Sequence, residues 1–351
     1  MDKPASICVT GASGSIGRAL CAALALRGYS VLACSRRETA PLPGVDSVLL
    51  ADYADAPAAD ALVHLAEPAD IGAFPETGGE ALVAEAVRLA ERLAGRGYGR
   101  SLYLSSAAVY GDMERHPRRP DEAVTAYNSY TRMKLAGEHA MLAEGGIAIR
   151  LSNVYGPGLK PGTVIADIMT QRHVSGPLRV RDAAPVRDFL WLEDAVAGLT
   201  AMLEGEETGL FNLGCGKSAS VEEIARLCLD LWGRGGEEVV STAPSGETLQ
   251  TRPSSPAVNN ALPSSVRLAA SSPSWASACL WPPSSRWHAG GLKRDSPAIR
   301  ASSPGARRPG NTVQAGCVYA FIACRHRMRM LPACSTPCGT CLRSWMRDFA
   351  Q

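Results

Sequence analysis

The feature that most constrains this chain is a glycine-spaced stretch, Val9-Thr10-Gly11-Ala12-Ser13-Gly14-Ser15-Ile16-Gly17-Arg18. It lies between a short apolar run, Ile7-Cys8-Val9, and a strong helix former at residues 19–26. A strand that breaks at glycines and restarts as a helix presents unpaired amides and the positive end of the helix dipole to an anion. Spaced glycines permit the tight turn, let backbone approach a pyrophosphate, and let the helix pack close to the strand. The spacing is G-x-x-G-x-x-G rather than the commoner G-x-G-x-x-G, so the flanking pattern decides between a phosphate turn and an ordinary loop.

That pattern continues as alternating strands and helices. Gly28 ends the first helix, and residues 29–35 read as a second strand. Where that strand would meet an adenosine ribose, the chain gives Ser35-Arg36-Arg37 and no acid until Glu38. Two guanidiniums suit a 2′-phosphate, so NADP(H) is the preferred cofactor, with NAD(H) possible. Residues 48–52 and 61–66 read as the third and fourth strands, joined by a short Ala/Asp/Pro-rich turn. Residues 80–93 carry apolar side chains at helical spacing, and residues 101–105 form a fifth strand. The fold class is therefore α/β, a doubly wound parallel sheet. His64, inside an apolar strand, is expected to pack rather than react, and the same reading covers His116, His139 and His173.

Ser105-Ser106-Ala107-Ala108-Val109-Tyr110-Gly111 ends the fifth strand, at the sheet edge where ligands bind in open α/β sheets. Some twenty residues later come Tyr130 and Lys134, four apart and so on one helix face. A neighbouring cation favours phenolate and lowers a tyrosine pKa from about 10 toward neutrality.

With these elements in order, the chain resembles the extended short-chain dehydrogenase/reductase family, the NAD(P)-dependent nucleotide-sugar epimerases and dehydratases. The resemblance runs over about residues 5–240. It rests on T-G-A-S-G-S-I-G, H-L-A, L-S-S-A-A-V-Y-G, Y-T-R-M-K-L-A-G-E, I-R-L-S-N-V-Y-G-P-G, V-R-D-F-L-W-L-E-D-A-V and F-N-L-G-C-G. It implies a Rossmann-type domain at residues 1–153 and a smaller α/β substrate lobe at 154–245. It also implies a catalytic set of Ser106 (four before Tyr110), Tyr130 as acid/base and Lys134 as its partner. The implied cofactor site comprises Gly11, Ser13, Gly14, Ser15, Ile16, Gly17, Asp52, Tyr53, Leu65 and Ala66, joined by Arg36 and Arg37. Ala107, Asn153 and Arg187 fall on substrate positions, no metal is implied, and a homodimer through a helix pair is. Sugar 4,6-dehydratases of the family carry Thr-Asp-Glu where this chain has Ser106-Ala107-Ala108. Two alanines supply neither acid nor base for eliminating water, which leaves epimerisation or 4-keto reduction of a nucleotide-activated sugar. Two other readings use the same residues: a carbonyl reductase or hydroxysteroid-type dehydrogenase on a non-nucleotide substrate, and a catalytically impaired NADP-binding or scaffold protein.

Within the lobe, residues 163–172 and 193–203 read as helices and 178–180 as a short strand, after which 210–213 returns to the sheet. Ser220 with Glu223 reads as a capping box opening a helix to Trp232. After about residue 245 periodicity stops. Residues 246–351 form an atypical, irregular tail rich in Ser, Pro and Arg, in which 251–351 hold 13 of the 36 Lys+Arg but only two of the 34 acids. The net charge of +2 thus divides into about −9 and about +11. Three readings of the tail stand: a disordered basic extension, a metal module drawing on Cys317, Cys324, His326, Cys334, Cys338 and Cys341, or, the preferred one, translation out of frame from GC-rich DNA. Nucleic acid is not the expected partner. Cys8, Cys21, Cys34, Cys215 and Cys228 read as buried thiols of a reducing compartment. No apolar run spans a membrane and no signal-peptide layout opens the chain, so a cytoplasmic location is expected.

Overall fold

A computed structural model describes residues 4–67, 79–111, 116–158 and 162–243. In chain order they begin with β1 (Ser6–Thr10), α1 (Ser15–Leu26), β2 (Ser30–Ser35), β3 (Val45–Leu49), β4 (Ala61–His64), α2 (Gly79–Ala94) and β5 (Arg100–Ser106). Then follow α3 (Ser129–Ala143), β6 (Ile147–Leu151), β7 (Asn153–Tyr155), α4 (Val164–Thr170), β8 (Leu178–Val180) and β9 (Val186–Trp191). The last are α5 (Leu192–Glu204), β10 (Gly209–Leu213), β11 (Ser218–Ser220), α6 (Val221–Leu231) and β12 (Val239–Ser241).

The main sheet has the order β3-β2-β1-β4-β5-β6-β10, and every pair in it is parallel. Alternation along each strand dresses both faces. Ile7 and Val9 join Leu20, Leu24, Leu199 and Met202 on the face covered by α1 and α5. Cys8, Leu62 and Leu93 lie on the other face, where α2 and α3 pack, with Tyr103 and Met141 beyond them. Truncating a fully buried side chain such as Leu20 to alanine costs about 2–5 kcal/mol. The strand order reverses between β1 and β4, which opens a crevice at their carboxyl ends. The smaller sheets, β11-β9-β7 and β12-β8, enclose a second core of Tyr155, Ile168, Phe189, Trp191, Ile224 and Leu229. β10 lies at the far edge of the main sheet, on β6.

Several elements differ from the sequence reading. The third strand runs from Val45 to Leu49, not 48–52, because its register pairs Val31 with Val45 through Ser35 with Leu49. Asp52 instead caps a short 3-10 helix, Tyr53–Asp55, accepting from the Ala54 amide at 2.9 Å. β6 went unrecognised because a five-residue apolar run carries no distinguishing period. Four cysteines are buried thiols as expected, but Cys215 is only half-buried, since its loop lies at the lobe surface. His116, His139 and His173 are exposed rather than packed. Among the described residues no helix is long and apolar enough to cross a membrane. Residues 246–351 lie outside the described residues, and the three readings of the tail with them.

Candidate active site

The glycine turn bridges β1 and α1 at the crevice. Gly11 (φ +73°) lies so close to β4's exit that a Cβ there would sit 2.7 Å from the Leu65 carbonyl carbon and 2.9 Å from Ala66 Cα. A Cβ on Gly17 would meet the Gly11 oxygen at 2.5 Å. The backbone itself demands these two glycines. Gly14 is different: φ is −75°, and its Cβ would meet only the Gly11 oxygen, at 3.4 Å. The fold would accept a side chain there. α1 also has no side-chain cap and no acid in its first turn. α3 and α6, by contrast, close their amides with capping boxes, Asn128/Thr131 and Ser220/Glu223. An open helix mouth behind a glycine without steric need fits a pyrophosphate. Ser13 and Ile16 are half-buried beside this mouth, and the Ser15 hydroxyl donates to the Gly158 carbonyl of the smaller lobe at 2.6 Å.

The dinucleotide's adenosine end would fall beyond β2. There Arg36 and Arg37 are exposed, and the Arg36 guanidinium lies 5.4 Å from the centre of the buried Tyr53 ring. The Asp52 carboxylate is engaged in capping.

Across the crevice, β5 ends in two serines with different surroundings. The Ser105 hydroxyl is buried and donates to Glu138. Ser106 is half-buried and opens the 3-10 helix Ala107–Tyr110, with its Oγ accepting from the Ala108 amide at 3.2 Å. Ala107 is fully buried. α3 brings Tyr130 and Lys134 to this edge; Tyr130 packs with Ala108 and Met133. The Lys134 ammonium donates to the Leu104 carbonyl at 2.9 Å and to Glu67 Oε2 at 2.8 Å, and stands 5.9 Å from the centre of the Tyr130 ring. Burial alone would pull the Lys134 pKa down, but Glu67, then Tyr130, outweigh it and hold it above its ordinary value.

His64 packs, as expected: it is buried, and its Nδ1 lies 2.7 Å from the Thr10 hydroxyl. Burial pushes its pKa down to about 4. Asn153 and Arg187 stand apart from this cluster on neighbouring strands of the smaller lobe. Asn153 Nδ2 donates to the Asp188 carbonyl at 3.3 Å, and Arg187 Nη1 to the Val186 carbonyl at 3.1 Å. Sequence reasoning missed Glu67 and Tyr103, whose hydroxyl donates to Glu67 at 2.5 Å. The one available signal was an acid immediately after an apolar strand at the carboxyl edge.

Comparison with known proteins bears on this arrangement. UDP-glucuronic acid decarboxylase 1 of Xenopus tropicalis is 29% identical over 159 residues, 41% of this chain and 38% of that protein. The chain thus spans little more than a third of that relative's length. dTDP-6-deoxy-L-talose 4-dehydrogenase (NAD(P)(+)) of Kitasatospora kifunensis is 27% identical over 279 residues, 71% of this chain and 86% of that enzyme. Among solved structures, an NAD-dependent NDP-hexosamine 5,6-dehydratase of tunicamycin biosynthesis superposes with a TM-score of 0.62 at 22% identity, over 73% of this chain and 89% of that one, a likeness of fold. The family model described as the NAD dependent epimerase/dehydratase family matches residues 7–214, well over half of the sequence. The chain belongs to the NAD-dependent epimerase/dehydratase family, enzymes of the extended short-chain dehydrogenase/reductase type.

Proposed function

We propose that this chain transfers hydride at a carbinol carbon of a nucleotide-activated sugar, as a 4-keto reductase or epimerase, with NADP(H) preferred over NAD(H). The observation that carries the reading is the Lys134 ammonium bonded to the Leu104 carbonyl of β5 and 5.9 Å from the centre of the Tyr130 ring, with Ser106 ending the same strand, beside an open helix mouth. A nicotinamide dinucleotide supplies the hydride acceptor or donor when bound. Gly11, Gly14 and Gly17, with the α1 amides, would hold its phosphates, Leu65 and Ala66 would line its site, and Arg36 and Arg37 would receive a 2′-phosphate. Tyr130 takes the hydroxyl proton as hydride leaves the carbon and returns it in the reverse direction. Ser106 donates a hydrogen bond to the same oxygen, and Lys134 stabilises the phenolate. Asn153 and Arg187, on adjoining strands, contact the nucleotide diphosphate. The buried Ala107 and the neighbouring Ala108 offer no acid or base for dehydration. The name of the Kitasatospora relative, a 4-dehydrogenase of a dTDP-sugar using NAD(P)+, supports chemistry at that carbon.

A panel of UDP-, dTDP- and GDP-sugars with NADP(H) and NAD(H) tests the proposal. Tyr130→Phe is expected to lower turnover by about 10²–10⁴-fold; turnover at the parent rate would overturn the assignment. Calorimetry of the double variant Arg36→Ala/Arg37→Ala should show NADP(H) affinity falling about tenfold or more, with NAD(H) little changed. A homodimer belongs to the same proposal, through the outer surface of the packed α2 and α3, where Val87, Ala136, Ala140 and Ala143 line a shallow groove with Glu91, His139 and Glu144. Sedimentation at graded concentration tests it, and a monomer throughout would refute it.

A further inference from the structure

Glu67 lies directly beyond β4, at the point where the strand order reverses, and its side chain is almost wholly buried. One oxygen, Oε2, receives both the Lys134 ammonium at 2.8 Å and the Tyr103 hydroxyl at 2.5 Å. The other, Oε1, has no hydrogen-bond partner among the described residues. It stands 3.9 Å from His64 Nε2, which also has none. A buried carboxylate is costly unless a charge answers it, and an unmet oxygen adds to the cost. Glu138, one turn along α3 from Lys134, is by contrast met on both oxygens by Arg150 and Ser105. Glu67 is instead built around one ammonium, and that ammonium faces the phenol of Tyr130.

We propose that Glu67 is a positioning residue of this site, a fixed negative charge that holds Lys134 in place and sets the pH range in which the Tyr130/Lys134 pair gives up its first proton. This rests on the reading of Tyr130 as the acid/base. Alone, the buried Lys134 would set a full positive charge beside the Tyr130 ring; Glu67 at 2.8 Å offsets that charge. The other groups facing the pair are Tyr103 from β5, His64 from β4, and Glu138 one turn along α3; Arg150 of β6 neutralises Glu138 through two hydrogen bonds. Replacing Glu67 by glutamine removes one negative charge from this set and keeps an acceptor for Lys134 and Tyr103. Whichever of Tyr130 or Lys134 then loses the proton, the pair loses it at lower pH.

Two readouts test the proposal. The first is the ultraviolet titration of phenolate in the protein alone, with Tyr130→Phe subtracted to isolate Tyr130. The second is the pH profile of kcat/KM. With E67Q, the limb of the profile set by this pair (acidic where Tyr130 acts as base, basic where it acts as acid in keto reduction) is expected to move about 1–2 pH units lower, with the Tyr130 step in the titration moving the same way if the phenol is the group that ionises first. E67D, which keeps the charge at a longer distance, should move the profile less in the same direction. If E67Q does not fold, as judged by circular dichroism, E67D carries the test. Profiles coincident with the parent in the folded variants would overturn the proposal and leave Glu67 a structural residue. If Tyr130→Phe removes no titrating step and leaves turnover unchanged, the active-site reading itself has failed, whatever Glu67 does.

Discussion

Helix α3 carries two buried ion pairs one turn apart, and they are built differently. Glu138 is met on both oxygens: Arg150 donates from Nε at 2.9 Å and from Nη2 at 2.8 Å, and the Ser105 hydroxyl adds a third bond. Lys134 is met by Glu67 through one oxygen, while the other finds no partner among the described residues. The first pair ties α3 to β5 and β6 with its acceptors filled, the arrangement that makes a buried charge tolerable and a packing unique. The second leaves bonding capacity open where the strand order reverses and the crevice begins. The contrast sets a charge whose bonding capacity the fold fills beside one that keeps an oxygen open at the crevice.

Four experiments can break or sharpen that contrast. Lys134→Met is expected to have the largest effect, lowering turnover by about 10²–10⁴-fold in steady-state rates while strong alkali still ionises Tyr130. Arg150→Met should act mainly on the other pair, reducing unfolding free energy by about 3–5 kcal/mol in a denaturant titration and displacing the pH profile less than E67Q does. An equal or larger displacement would mean that the two pairs work as one. Acid tests the neighbourhood of Glu67. His64 is held neutral by burial with a pKa of about 4, so the unfolded chain takes up its proton first. Its contribution to stability is therefore full above its ordinary value of about 6.5 and declines as pH falls through 6.5 toward 4, by about 3 kcal/mol in all. Thermal melts across that range should show the loss, and His64→Asn should flatten it. Ser105→Ala, the mildest change, should cost about 1–2 kcal/mol and leave the rate intact, whereas Ser106→Ala should lower the rate with little change in melting temperature. Equal rate effects would erase the distinction between the two serines.

What was legible in the sequence is what local chemistry writes. The glycine turn, the Tyr130/Lys134 spacing and the Ser220/Glu223 capping box each declare themselves within a few residues, and the structure forms the turn, the helix face and the cap there. The parallel order of the main sheet followed from alternating strands and helices. Glu67 could not be read this way, since its partners Tyr103 and Lys134 lie 36 and 67 residues away and an acid after a strand has no period. The cap of α3 escaped notice because Asn128/Thr131 departs from the Ser/Thr-x-x-Glu/Gln pattern. β3 was misplaced because its exposed residues, Asp46 and Ser47, interrupt the apolar run; pairing with β2 decided its bounds.

The place of β10 has a consequence for how the chain acquires its shape. Gly209 pairs with Ile147 and Leu213 with Leu151, so the last strand of the main sheet waits on roughly 60 residues, β7 through α5, in between. Until they are made, β6 is an open edge on a growing nascent chain, with unpaired amides and carbonyls at its side. Closing so long a loop for five residues of pairing is expected to come late in folding. A ribosome pausing before residue 213 would leave the sheet one strand short and prone to join another chain's.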